Sequence, residues 1–73
     1  MMNMRVLLNT KIKDDDGNIY LILDERLSIN QNSHSQKSNL DYLCQDIGRG
    51  IKRWVQYSTM NEMYKEGKLN HYE

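Results

Sequence analysis

Residues 38–57 read Ser38-Asn39-Leu40-Asp41-Tyr42-Leu43-Cys44-Gln45-Asp46-Ile47-Gly48-Arg49-Gly50-Ile51-Lys52-Arg53-Trp54-Val55-Gln56-Tyr57. The secondary structure of this stretch decides the fold. If each residue turns ~100°, Leu40, Leu43, Cys44, Ile47, Ile51, Trp54 and Val55 fall within a stripe roughly 120° wide. Ser38, with Asp41 three residues on, matches a capping box. The spacing predicts an amphipathic helix over about 39–57. Met60, Met63 and Tyr64 fall off the stripe, and Thr59-Met60-Asn61-Glu62 repeats the capping pattern. A break near Ser58 and a second short helix over about 60–66 follow, with Gly67 as the C-terminal cap. Gly48 and Gly50 strain this reading, since each costs about 1 kcal/mol relative to Ala inside a helix. Two explanations stay open: a local break near Gly48, or close approach of another backbone on that side.

Upstream, residues 4–29 carry strand signals around Asp14-Asp15-Asp16-Gly17. Asp tolerates turn geometry, and Gly accepts a positive φ. A two-residue Asp16-Gly17 turn would pair Leu8 with Glu25, mixing apolar and charged on one face. A four-residue loop over 14–17 pairs Ile12 with Ile19, Thr10 with Leu21 and Leu8 with Leu23. It sets Lys11 beside Tyr20 and Lys13 beside Asn18 on the other face. That register separates apolar from polar, as a half-buried antiparallel pair requires. Leu27 and Ile29 extend the second strand or begin a third after a bend near Asp24-Glu25. The expected fold class is α+β, an N-terminal antiparallel β-hairpin packed on a C-terminal helix with a second short helix.

The sequence reads as one domain over 1–73: hairpin region 4–29, polar loop 30–37, helical segment 38–66 and tail 67–73. In the tail, Leu69 and Tyr72 are the residues able to dock. With 73 residues the core is small. Chains below roughly 70–80 residues rarely draw more than ~3–5 kcal/mol from one core. Cys44 is the only cysteine, so no disulfide closes within the chain. His34, His71 and Cys44 lack metal-ligand spacing, and no cofactor is expected. Oligomerisation remains, so a homodimer is expected. Val6-Leu7-Leu8 is too short for a secretory h-region, and no apolar run approaches the ~18 residues that span a membrane. A cytoplasmic protein is expected.

Lys plus Arg number 10 and Asp plus Glu number 10. This balance argues against a strongly electrostatic nucleic-acid binder. On the expected helix, Gln45, Arg49, Lys52, Arg53 and Gln56 lie on the outer face, suited to phosphates or an acidic protein. The plain reading of such a face is solvation. Tyr42, Tyr57 and Tyr64 are interface candidates by residue type, and Trp54 is expected in the core. Met60 and Met63 offer an adaptable apolar patch. The candidate protein-binding set is Tyr42, Arg49, Lys52, Arg53, Gln56, Tyr57, Met60 and Tyr64. Asp14, Asp15 and Asp16 read as turn chemistry, without an EF-hand pattern. Ser33, His34 and Ser35 are loop neighbours without fixed nucleophile–base geometry. Cys44, on the apolar stripe, reads as a buried, inert thiol. No pocket-sized core is expected, and the chain reads as a non-enzyme.

A strand, an Asp14-Asp15-Asp16-Gly17 turn, a strand bearing Tyr20 and then one helix resembles the small phage-encoded uracil-DNA glycosylase inhibitors. The shared residues are Asp14, Asp15, Asp16, Gly17 and Tyr20, five of the 73 in the chain. The polar loop and Gly48-Arg49-Gly50 depart from that pattern, and no functional residue transfers. In size and style the chain is similar to phage host-takeover proteins, which block host replication, repair or defence proteins, sliding clamps among them. The resemblance implies a dimeric inhibitor or modulator of a host DNA-handling protein. The alternative is a small DNA-binding transcriptional regulator using Arg49, Lys52 and Arg53 on phosphates; the two differ in salt dependence.

Overall fold

A computed structural model describes residues 3–28 and 40–72. Five strands and one helix follow in chain order: β1 (Lys11–Asp14), β2 (Ile19–Leu27), β3 (Leu40–Asp46), β4 (Lys52–Gln56), α1 (Tyr57–Lys65) and β5 (Leu69–Tyr72). The strands form one sheet in the order β4-β3-β2-β1-β5, and every neighbouring pair is antiparallel. The first four strands are a meander. α1 then carries the chain from one edge of the sheet to the other, where β5 pairs with β1. The fold is α+β as expected, but among the described residues one helix stands where two were expected.

The stretch 40–57 is a hairpin instead of a helix. Tyr42 pairs with Val55, Leu43 with Trp54 and Cys44 with Arg53. The segment satisfies two periods at once, since Leu40, Tyr42 and Cys44 alternate as well as a helical stripe would. Asp46 and the glycines break the tie. The Asp46 Oδ1 accepts the N–H of Gly48 at 2.9 Å and of Arg49 at 3.2 Å, and the Gly50 N–H donates to the Asp46 carbonyl at 2.6 Å. Gly50 closes this turn at φ +76, a region where an L side chain crowds the backbone. Neither explanation for glycines within a helix applies, since both lie in the turn that joins two strands.

The β1–β2 register is one residue from the expected pairing. Ile12 faces Tyr20, Lys11 faces Leu21 and Lys13 faces Ile19. The Asp14 N–H donates to the Asn18 carbonyl, leaving a three-residue loop that Gly17 completes at φ +90. Such loops pair a type I turn with a left-handed residue. The Asp14 carboxylate sets this length by accepting the N–H groups of Asp16 and Asn18. A one-residue slip moves side chains to the other face. Ile12, Tyr20 and Ile22 therefore share one face of the sheet, and Ile19 and Leu21 lie on the other. β1 is also shorter than expected. Asn9, at φ +66, turns residues 3–8 off the sheet. A register shift between Ile22 and Asp24 marks the expected bend, and Ile29 lies outside the described residues.

The core lies on one face of the sheet: Ile12, Ile22, Tyr42, Cys44 and Leu69, closed over by Met60 of α1 and Met4 of the N-terminal segment. That segment is tied down on both sides of one residue. The Asn61 Oδ1 accepts the Met4 N–H at 2.7 Å, and the Tyr57 hydroxyl donates to the Met4 carbonyl at 2.7 Å. α1 begins without a side-chain cap at Gln56, so the Thr59–Glu62 box does not start it. Its end follows expectation. Gly67 donates to the Tyr64 carbonyl and Lys68 to the Met63 carbonyl, the paired bonds of a Schellman cap. The chain past this cap is not a loose tail, since Leu69 is buried and leads β5. No helix among the described residues is long and apolar enough to cross a membrane.

Because Gly50 sits at positive φ, Gly50→Ala should lower stability by about 1–2 kcal/mol. Gly48→Ala should change it by less than about 0.5 kcal/mol, as its new Cβ would meet only Asp46 Oδ1 at 3.5 Å. Urea unfolding of the two variants checks this. A helix through both positions would instead be strengthened by both changes.

Candidate functional site

Nine residues of α1 span about 13.5 Å at ~1.5 Å per residue. Four strand spacings of roughly 4.8 Å separate the two sheet edges it connects. The helix therefore cannot cover the whole sheet face. A groove of about 260 Å³ remains between sheet and helix. Its apolar wall is Ile12, Cys44, Val55, Met60, Met63 and Leu69. Asp14, Tyr20, Asp46, Arg49 and Arg53 supply the polar part of the lining. Asp14, Asp46 and Arg49 come from the two hairpin turns, so the turn chemistry that ends the strands also furnishes this rim.

The carboxylates of the rim are occupied within the fold. Asp14 Oδ1 accepts the two loop N–H groups, while its Oδ2 accepts Asn18 Nδ2 and the Tyr20 hydroxyl, each at 3.1 Å. Burial pushes the Asp14 pKa up, but the bonds from Asn18, Tyr20 and Asp16 outweigh it and hold the group below its ordinary 3.8. The Tyr20 hydroxyl titrates above its ordinary value, through burial first and then the charges of Asp14 and Asp46, with Arg53 acting the other way. Arg49 and Arg53 form no ion pair among the described residues. The groove thus offers an apolar wall and two guanidinium groups available for a carboxylate or phosphate.

Cys44 forms part of the wall. Its Sγ lies 3.7 Å from the Tyr42 carbonyl, and burial pushes its pKa up to about 11. The thiol is protonated and held inside, as the sequence indicates. The Asp14-Asp15-Asp16 carboxylates converge within 4.8 Å, yet Asp14 already spends both oxygens on the turn.

Three of the eight sequence-selected residues, Arg49, Arg53 and Met60, meet at this groove. The others do not join them: residues 40–56 are two strands instead of the expected helix, so its outer face does not form. Tyr42 is buried, its ring 6.3 Å from that of Tyr57. Tyr57 is tied to Met4, and Tyr64 meets the edge of His71 at 6.0 Å. Lys52 and Gln56 project from the opposite face of the sheet, since strand residues alternate. Trp54 is there too, not in the core. The Arg26 guanidinium stacks on its ring at 4.0 Å, and Arg26 Nε lies 3.5 Å from the buried Asp41 carboxylate. Tyr20, Asp46, Met63 and Leu69 are among the groove's other lining residues and were not in the selected set. The signal for Asp46 was available, an Asp followed by two closely spaced glycines between apolar runs. Ser33, His34 and Ser35 lie outside the described residues. The chain matches no family model, no curated protein and no solved structure.

Asp14 binds its partners as the anion. The stability this contributes is present above the ordinary 3.8 and is lost as pH falls through the lowered pKa. Asp14→Asn should therefore flatten the acid limb of the stability profile below about pH 4. Asp14→Ala, which removes both side-chain acceptor oxygens, should cost about 1–2 kcal/mol near neutrality. Thermal unfolding followed from pH 2 to 7 checks both.

Proposed function

We propose that this chain is a small protein-binding modulator without catalytic chemistry of its own, and that its partner seats one apolar side chain in the groove. The observation that carries this reading is the pairing of a methionine-lined apolar wall with Arg49 and Arg53 on one 260 Å³ groove. Small-molecule and cofactor sites are usually clefts of ~300–1,000 Å³. This one is smaller and suits an anchor residue of a polypeptide. Interfaces draw most of their energy from a few such anchors. Met60 and Met63 adapt to the anchor's shape. The two arginines select an anchor with a carboxylate close by, through paired N–H donors. The partner class we propose is a host protein that handles DNA. Support for that class comes from the resemblance to phage host-takeover inhibitors, and support for the mode comes from the groove.

A second reading has its own observation. The sheet face opposite the helix carries Lys11, Lys13, Arg26 and Lys52 against Asp24 and Asp41, beside Trp54 and Tyr72. Direct DNA binding would use that face and not the groove. Steep weakening with salt would identify it.

Pull-down from a bacterial lysate tests the first reading. The wild-type chain should retain a stoichiometric protein, and Arg49→Ala/Arg53→Ala should reduce retention at least tenfold at unchanged circular dichroism. Adding the captured protein should shift the methyl resonances of Met60 and Met63. Equal capture by the double variant, with those resonances unmoved, would remove the groove from the interface.

A further inference from the structure

We propose that β4 is a homodimerisation edge, at which two copies pair β4 with β4 antiparallel about a two-fold axis through Trp54. This proposal is independent of the groove reading. Backbone hydrogen bonds lead to it. On the β2 side, the Ile47 N–H donates to the Ile19 carbonyl at 3.0 Å. On the β4 side, the Asp46 N–H donates to the Ile51 carbonyl at 2.8 Å. These directions alternate along a strand. Asp46, Cys44 and Tyr42 therefore engage β4 through Ile51, Arg53 and Val55. Lys52, Trp54 and Gln56 turn their N–H and C=O groups away from β3. No strand lies beyond β4 in the sheet, so these groups stand on a free edge among the described residues.

Charge and register select the pairing. Centring the axis on Lys52 or on Arg53 places like charges directly opposite, which is destabilising. Centring it on Val55 sets Lys52 against Ser58, which already belongs to α1. Centring it on Trp54 pairs all five residues of β4. Lys52 then faces Gln56 of the second copy, and Arg53 faces its Val55. No two cations are opposed, and all three outward residues of each copy find backbone partners. The two Trp54 rings become a cross-strand aromatic pair. Each is already stacked by its own Arg26, so a row of Arg26, Trp54, Trp54 and Arg26 crosses the joint on the face opposite the helix. Edge strands with unspent donors and acceptors readily add a strand. A chain this small also gains most from burying such an edge.

The edge contains its own test. Gln56 has φ −69, a value proline adopts without strain, and its N–H points away from β3. Gln56→Pro should leave the monomer fold intact and remove two of the interchain bonds. In sedimentation equilibrium from micromolar to millimolar concentration, the wild-type mass should rise toward twice that of the monomer. Gln56→Pro should stay at the monomer mass throughout. Register is read separately with Trp54→Cys, where paired Cα atoms about 5.5 Å apart permit a disulfide. Mild oxidation should convert most of Trp54→Cys, and little of Val55→Cys, into a covalent dimer. A wild-type chain that remains monomeric at millimolar concentration overturns the proposal. So does a Gln56→Pro variant that associates like wild type, or a Trp54→Cys variant that gives no covalent dimer. If Gln56→Pro fails to fold, the cysteine pair decides the question.

Discussion

A nine-residue helix carries this chain from β4, at one edge of the sheet, to β5, at the other. Much of the architecture depends on that crossing. It lays Met60 over Ile12, Ile22 and Cys44, and it delivers Leu69 into the same core. It also holds the N-terminal segment, because Tyr57 and Asn61 of the helix grip both sides of Met4. A helix too short to cover the sheet face leaves a groove. A helix that departs from β4 on one face leaves that strand's outer edge unpaired among the described residues. Groove and edge are thus two results of one connection.

The two hairpins are built alike. In each, an aspartate at the end of a strand accepts loop N–H groups, and a glycine at positive φ finishes the turn. Asp14 and Gly17 do this in the first, Asp46 and Gly50 in the second. Both aspartates then face the groove. Their charges are occupied by backbone and side-chain donors, so the rim presents arginine more than carboxylate. Fold and electrostatics are coupled here: a change that loosens either turn also frees a carboxylate that lines the groove.

The two faces of the sheet have different tasks. One is the core, with Cys44 protonated inside it. The other stacks Arg26 on Trp54 above the buried Asp41. The Arg26 guanidinium thus contacts both the Trp54 ring and the Asp41 carboxylate. In a β4-paired dimer that ring would meet its counterpart already positioned.

By itself, the amino-acid sequence determined the local and compositional features. The α+β class, the turn at Asp14–Gly17, the cap at Gly67 and the burial of Cys44 were all legible. Each rests on chemistry within a few residues or on residue type. Residues 40–57 were not legible in the same way. Their apolar positions fit both the 3.6-residue and the two-residue period, and the turn at Asp46–Gly50 together with pairing of Leu40–Asp46 with β2 selects the second. The β1–β2 register turned on a side chain of Asp14 that shortens the loop by one residue, which reversed the faces of Ile19 and Leu21. β5 was invisible for a related reason, since four residues acquire strand character only when β1 lies beside them. Strand ladders join residues distant in sequence, and no local pattern records which partner is present. Tertiary structure made that choice, and the groove and the free β4 edge came with it.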